Sequence, residues 1–511
     1  MGFQFLFSLV VVGAFSLFIH LCNILWVKPQ RIRCELQKQG ICGPPPSFLL
    51  GNIREMKAAK LSVAKSTPEG SQDIFHNCSS TIFPFFHQWS EKYGRLFMFS
   101  LGKMQLLYVS EPNMVKEISQ STSLDLGKPS YQQKELGPLL GQGIITSNGA
   151  KWAYQRKIIA PELHLDKVKS MVDLMEEPIT LLLNSWKRKI EGEGGIVDIR
   201  IDEDLRIFSG DVISRACFGS SYSKGKELFL RLRALQEAIA NRRLKLGIPG
   251  LRYLPTNSNR NIWGLEKEIH SSISRILDEH NRGRFEKNLL QIILDGSRNG
   301  ELGPNTTERF IVDNCKSMYL AGYETTAISA TWSLMLLASH PEWQARVRAE
   351  ILQVCGGQLP NVDILRRMKL LTMVIQEALR LYPPVGVLTR EVFKDMKFGE
   401  IHVPKGAFLW IAVAILHQDP EFWGADANKF NPERFINGSV GACKFPHLYM
   451  PFGFGPRICL GQNLAMLELK MLLARILSEF SFSLSPKYCH SPVLGLVIEP
   501  EYGVNLLVQR L

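Results

Sequence analysis

The 511 residues are 45% hydrophobic, and no low-complexity tract, internal repeat or Gly/Ser run interrupts them after residue 50, which excludes a disordered or fibrous chain and points to one large core. A formal net charge of +12 suits nucleic acid, an anionic membrane surface or an acidic protein partner; the basic residues are dispersed and form no nucleic-acid motif, which disfavours the first. The 10 cysteines show no framework spacing, so a disulfide-stapled scaffold is excluded as well.

Met1 to Val27 contain no Asp, Glu, Lys or Arg, and the apolar run is long enough to cross a hydrocarbon core of about 30 Å, so residues 1–27 are predicted to be a single transmembrane anchor helix. A cleaved signal peptide fits less well, because no basic segment opens the run and no small-x-small site closes it. Lys28, Arg31, Arg33 and Lys38 follow against Glu35 alone, and that excess places the remainder of the chain in the cytoplasm. Residues 28–50 read as a basic and Pro-rich hinge, stiffened by Gly43-Pro44-Pro45-Pro46, and 51–511 as one catalytic domain. Asn77, Asn305 and Asn437 stand in glycosylation sequons that this orientation leaves unused.

Arg95 to Ser100 and Leu106 to Ser110 are predicted strands on either side of a Gly-Lys turn. Helices dominate from there. Trp152 and Arg156 lie four apart and share a helix face, which by itself is an ordinary cation beside an aromatic ring. Lys167 to His280 shows long amphipathic patterns that are informative about architecture and poor in chemistry. Asn305, with Glu308 three residues on, looks like a capping box, and helical periodicity runs from there to Ser339, where His340-Pro341 stops it. That is about 50 Å of helix. Its middle, Ala321-Gly322-Tyr323-Glu324-Thr325-Thr326, gathers glycine, acid and hydroxyl, so a local opening of the helix is expected, with or without chemistry.

Glu377 and Arg380 are three apart near the end of another helix, and Phe430 to Phe435 carries Arg434. Lys405 to Val413 reads as a strand. Then comes Pro451-Phe452-Gly453-Phe454-Gly455-Pro456-Arg457-Ile458-Cys459-Leu460-Gly461, a tight glycine-rich turn that ends just before a helical run from about Gln462. Cys459 at a helix N-terminus, with Arg457 two residues away, is favoured as a thiolate, the form that ligates metals or attacks electrophiles. The same residue is also readable as a buried inert cysteine, or as a zinc ligand with Cys443 and His447, although no paired Cys-x-x-Cys or His-x-x-x-His supports zinc. Cys-x-x-Cys-His, the signal for covalent haem attachment, is absent.

Phe452-x-x-Gly455-x-Arg457-x-Cys459-x-Gly461 matches the haem-binding signature of the cytochrome P-450 family at every fixed position, and the motifs above occur in that family's order, so the chain resembles it throughout. The resemblance implies a mainly α fold with a smaller β-rich lobe, and haem b between two long helices. It makes Cys459 the axial metal ligand and sets Arg457, Trp152 and Arg156 against the haem propionates, with Phe452, Gly455 and Gly461 shaping the loop. By the same resemblance Ala321 and Gly322 form a dioxygen groove, Thr325 with Glu324 relays protons, and Glu377, Arg380 and Arg434 form a structural triad behind the loop. Residues Leu139 to Ile145, Ala240 to Leu254 and Val385 to Leu388 would lie over or line the pocket. Arg390 and His417 would approach the haem or its surroundings, Arg390 being as readily a surface cation. The implied activity is a monooxygenase fed by NADPH through a flavin reductase in the same membrane, the endoplasmic reticulum. Segments such as Ile145 to Gly149, Asp211 to Gly219 and Trp423 to Ala427 resemble a plant branch acting on gibberellins and related diterpenoids or on pentacyclic triterpenoids. Two other classes remain: a haem-thiolate isomerase or dehydratase of hydroperoxides, which would lose the Glu324-Thr325 pair, and a non-catalytic membrane haem-binding protein, which needs no proton relay.

Overall fold

The computed structural model describes residues 2–66, 76–219, 222–242, 253–282, 289–299 and 304–511. Helices form most of it. The sheets are small and gathered at the edges, so the architecture is mainly α with a β-rich lobe, as the resemblance implied.

An apolar helical stretch, Phe3–Gln37, leads the chain. Its first part, Gly2–Cys22, is exposed along its described length and compatible with a membrane anchor, since a helix satisfies its own backbone in lipid. The basic residues that follow are not extended: Lys28–Gln37 is α-helical and buries Pro29, Arg33 and Leu36. Only 41–46 is the extended strap that the prolines predict. The reason is amphipathic, because Leu36 and the stem of Arg33 reach the body of the protein while Arg31 and Glu35 pair on the outside.

The larger sheet has five strands in the order Leu96–Leu101, Met104–Val109, Phe408–Ile411, Leu388–Val392, Leu126–Gly127. The first two form the predicted hairpin, with Leu96 opposite Val109. The Lys405 to Val413 segment joins it as Phe408–Ile411, parallel to Met104–Val109. Phe97 stacks on Tyr108 at 4.5 Å between ring centres, and Phe86 covers both, so this lobe is fixed by buried aromatics.

At the centre is Pro304–Ser339, 36 residues of uninterrupted α-helix. It is apolar nearly all round, as a helix through the middle of a core must be, and it packs against Ile201–Phe218 and Gln462–Glu479. The capping side chain expected at Asn305 lies outside the described side chains. The expected local opening is absent. Three local facts account for this. Gly322 has no Cβ because one would sit 2.5 Å from Ile213 Cδ1, so this glycine permits helix contact instead of helix rupture. The hydroxyls of Thr325 and Ser329 donate to the carbonyls of Ala321 and Thr325, four residues back, without displacing the backbone ladder.

Candidate active site

Cys459 ends a loop that the structure pins from both sides. Its backbone N–H donates to the Phe452 carbonyl at 2.8 Å, closing the turn. Gly455 adopts φ +73°, and a Cβ there would lie 2.0 Å from the Ser119 carbonyl oxygen, so only glycine lets the loop rest on the Pro112–Gln120 helix. Gly461 occupies the N-cap position of Gln462–Glu479. Cys459 is accessible to solvent although protein surrounds it closely. The thiol does not take the direction expected from its place before a helix. Burial pushes its pKa up, and the Gly461 N–H and the Arg156 charge only partly offset this. A bound metal ion would remove the proton outright. The zinc alternative has no support, because the described residues contain no cluster of three metal-binding side chains, and His447 is spent on the Pro112 carbonyl.

Beside the loop the structure brings together cations without carboxylates. Arg457 bonds the Ser147 carbonyl and Asn148 Oδ1, Arg156 the Ile458 carbonyl, and Arg390 the carbonyl of its neighbour Thr389. Trp152 lies beneath the guanidinium of Arg457, 4.1 Å from its ring centre, and that of Arg156 is 5.8 Å away. Arg390 is therefore no surface cation. It is 8% exposed on the Leu388–Val392 strand and lines one cleft with Trp152, Pro456 and Arg457. Lys128 joins the group, though its place in the chain carries no motif. None of these four cations forms an ion pair among the described residues. Burial lowers Arg457 to about 9, helped by Arg390 and Arg156, Arg390 to about 10, and Lys128 to about 7, helped by Arg390 and Arg457. Such a cradle demands an anion with more than one negative group. Haem b, with two propionates and an iron that takes a thiolate, fits both the cradle and Cys459.

Asn148 organises the cradle. Its side chain accepts from Lys128 N–H and from Arg457 and donates to the Lys128 carbonyl, so it is not available to cap the helix Gly149–Ile159 that carries Trp152 and Arg156.

The middle of the long helix supplies another wall. Ala321 is exposed and Gly322 and Thr325 are partly exposed, although their neighbours Leu320, Tyr323 and Glu324 are buried. Glu324 points elsewhere than Thr325. It is 1% exposed and lies 3.4 Å from Arg206 and 3.3 Å from Arg233, which also hold Asp202 and Glu499. Burial opposes the Arg233 charge, but Glu324 and Glu499 outweigh it and raise its pKa. Neither arginine has a sequence signal, since both lie in helices remote from Glu324 in the chain.

Glu377, Arg380 and Arg434 meet behind the loop. Arg380 grips both oxygens of Glu377 at 2.7 and 2.8 Å and donates to the carbonyls of His417, Ala427 and Lys429. Arg434 lies 3.4 Å from Glu377 and bonds Trp423 and Asp426. His417, expected near the haem or its surroundings, sits here behind the loop: fully buried, it accepts the Met450 N–H through Nε2 and stays neutral, since burial and Arg380 lower its pKa to about 3. Leu139 and Leu140 are buried, and Gly141 to Ile144 dock on Asp313 and Asn314 of the long helix. Of the Ala240 to Leu254 stretch, residues 243–252 lie outside the described residues.

A mainly helical body that sets an accessible thiol loop beside a cation cradle and an accessible groove in its central helix has the parts of a haem-thiolate oxidoreductase. The family model for cytochrome P-450 matches residues 74–506. Cytochrome P-450 714C2 of Oryza sativa subsp. japonica is 53% identical over 508 residues, covering 98% of this chain and 97% of that protein. Cytochrome P-450 714B3 of Zea mays is 46% identical, with 100% and 97% covered, and cytochrome P-450 714A2 of Arabidopsis thaliana 45%, with 98% of each covered. The chain belongs to the cytochrome P-450 family, whose members are haem-thiolate monooxygenases using haem b, dioxygen and electrons from NADPH delivered by a reductase.

Proposed function

We propose that this chain is a monooxygenase of the endoplasmic reticulum membrane, anchored by residues 1–27 with its catalytic body in the cytosol, that hydroxylates or epoxidises a terpenoid: a gibberellin-type diterpenoid or a pentacyclic triterpenoid. The observation that carries the chemistry is the pairing of an enclosed but accessible Cys459 with a carboxylate-free cradle of Arg156, Arg390, Arg457 and Lys128. The terpenoid class is supported by the plant-like segments and by near full-length likeness to plant relatives.

Haem, when bound, supplies the reductive activation of dioxygen. The chain's own residues do the rest. Cys459 would hold the iron. Arg457, Trp152 and Arg156, with Arg390 and Lys128, would hold the propionates. Thr325 keeps its hydroxyl on the Ala321 carbonyl at 2.7 Å, at the accessible face of the helix, where it can pass a proton toward dioxygen cleavage. Glu324 recharges that hydroxyl only when it leaves Arg206 or Arg233, so the arginines set how readily protons are delivered. The intact acid and alcohol favour monooxygenation over hydroperoxide isomerisation and over a purely haem-binding role.

Microsomes containing the full chain, a flavin reductase and NADPH, incubated with a terpenoid panel under labelled oxygen, should yield one labelled oxygen per product. Absence of label from every product overturns the reading. The reduced protein under carbon monoxide should show the red-shifted Soret band of a thiolate complex, and Cys459→Ala should lose it.

A further inference from the structure

Three glutamates are almost entirely hidden in the helices around the site; Glu324 and Glu377 are held by arginines, and the third is treated differently. Glu377 is 0% exposed and gripped by Arg380. Glu468, on Gln462–Glu479, is 2% exposed and pairs with no cation among the described residues. Its hydrogen-bond partner is Ser209 on Ile201–Phe218, whose Oγ lies 2.9 Å from Glu468 Oε1 and 2.8 Å from the carbonyl oxygen of Gly322.

Counting hydrogens settles what that arrangement requires. The Gly322 carbonyl only accepts, and a serine hydroxyl owns one hydrogen. If Ser209 donates to Gly322, the other contact is a hydrogen bond only when Glu468 supplies the second hydrogen, which a carboxylate does not have. Were Glu468 ionised, Ser209 would turn its single hydrogen to the charge, and two acceptor oxygens would face each other at 2.8 Å. Isolation from cations at a buried position also favours the neutral acid.

We propose that Glu468 is a protonated carboxylic acid that, through Ser209, braces the Gly322 carbonyl and so fixes the groove of the long helix from the side of the helix that follows the Cys459 loop. It is a positioning residue, because it reaches the groove only through Ser209. The proposal rests on the reading of Ala321 to Thr325 as the groove where dioxygen is activated.

Burial raises Glu468 to about 8, partly opposed by Ser209, so the brace should be intact at neutral pH and released in mild alkali. The titratable group that faces it from the neighbouring helix is Cys217, which burial first, and then Glu468, pushes up to about 12, so Cys217 stays neutral across that range. Above the midpoint the Ser209 hydroxyl transfers its hydrogen bond from the Gly322 carbonyl to the new carboxylate.

The test uses the full-length holoprotein and two readouts. Infrared titration from about pH 6 to about pH 10 should show a carboxylic-acid C=O band that disappears in mild alkali, is missing from Glu468→Gln at every pH, and shifts in Ser209→Ala. With carbon monoxide as the probe of the groove, the C–O stretch of the reduced wild type should move with the same midpoint. Glu468→Gln, whose amide still donates to Ser209, should keep the low-pH stretch throughout, and Ser209→Ala should be independent of pH. A residue that merely packs would move neither. Absence of the acid band near neutrality overturns the proposal, as does a C–O stretch that titrates identically in Glu468→Gln. An acid band that titrates while the stretch stays fixed also overturns it, and leaves the haem-thiolate reading standing. Loss of the thiolate Soret band in wild type would sink that reading instead.

Discussion

Lys128 illustrates how a single side chain reports on its cofactor. Its folded-state value near 7 lies below the ordinary lysine value of 10.5, chiefly because burial disfavours the charge. Between those two values the unfolded chain holds a proton that the folded haem-free chain lacks, so the stability contributed by this site rises with pH through that window and falls as pH drops toward 7. A propionate beside Lys128 reverses the preference by stabilising the ammonium. The denaturation midpoint of haem-free protein should therefore increase from neutral to mildly alkaline pH by more in wild type than in Lys128→Met, and the excess should vanish on loading with haem. An excess that persists in the holoprotein would remove Lys128 from the cradle. Glu324 is the other residue to test singly. Glu324→Gln and Arg233→Met should each cost roughly 1–3 kcal/mol in chemical denaturation, because each leaves a partly buried charge short of a partner. The double variant should cost less than the sum, by a coupling of about 0.5–3 kcal/mol. Strict additivity would show that the pair does not interact.

At the scale of elements, the residues legible in the sequence are those whose chemistry is local. The loop from Phe452 to Gly461 announces itself because a turn, a cation and a thiol lie within ten positions, and Trp152 with Arg156 because four residues make one helical turn. Lys128, Asn148, Arg206, Arg233, Ser209 and Glu468 were not legible, since each acquires its meaning from a partner brought in by tertiary packing: Arg206 and Arg233 meet Glu324 across 118 and 91 residues. Gly322 was misread for the same reason. Its effect on helix propensity is local and visible, whereas its contact with Ile213 is neither. The two motif glycines should consequently fail differently. Gly322→Ala overpacks a side chain and should cost about 1–3 kcal/mol, with part of it recovered by Ile213→Ala, which removes both the Cδ1 and the Cγ1 that would lie 2.5 Å from the new Cβ. Gly455→Ala places its Cβ against the Ser119 backbone at positive φ, where no neighbouring side chain can be trimmed, and should reduce haem retention. Equal rescue of both by trimming their neighbours would refute this distinction.

For the molecule as a whole, the junction between the N-terminal apolar helix and the body decides how firmly the two are joined. Composition predicts a hinge over residues 28–50, yet the structure continues the helix to Gln37 and ties the following turn to the body: Gln39 exchanges two hydrogen bonds with the backbone of His402, and Arg33 reaches the carbonyls of Gly43 and Pro44. Leu36 at 0% exposure and Ile41 at 4% belong to the same core as the aromatic lobe. These contacts dock residues 33–41 on the body, so the apolar helix leads into a packed segment instead of a free tether. Removing residues 1–27 should leave thermal stability nearly unchanged, because that helix buries little against the body. Removing residues 1–46 also uncovers the sites of Leu36 and Ile41, and at about 1.5–3 kcal/mol for each fully buried aliphatic side chain it should cost roughly 3–6 kcal/mol. Thermal or denaturant unfolding of the two truncated proteins, both loaded with haem, separates the cases. Identical stability would mean that residues 28–46 are a tether after all.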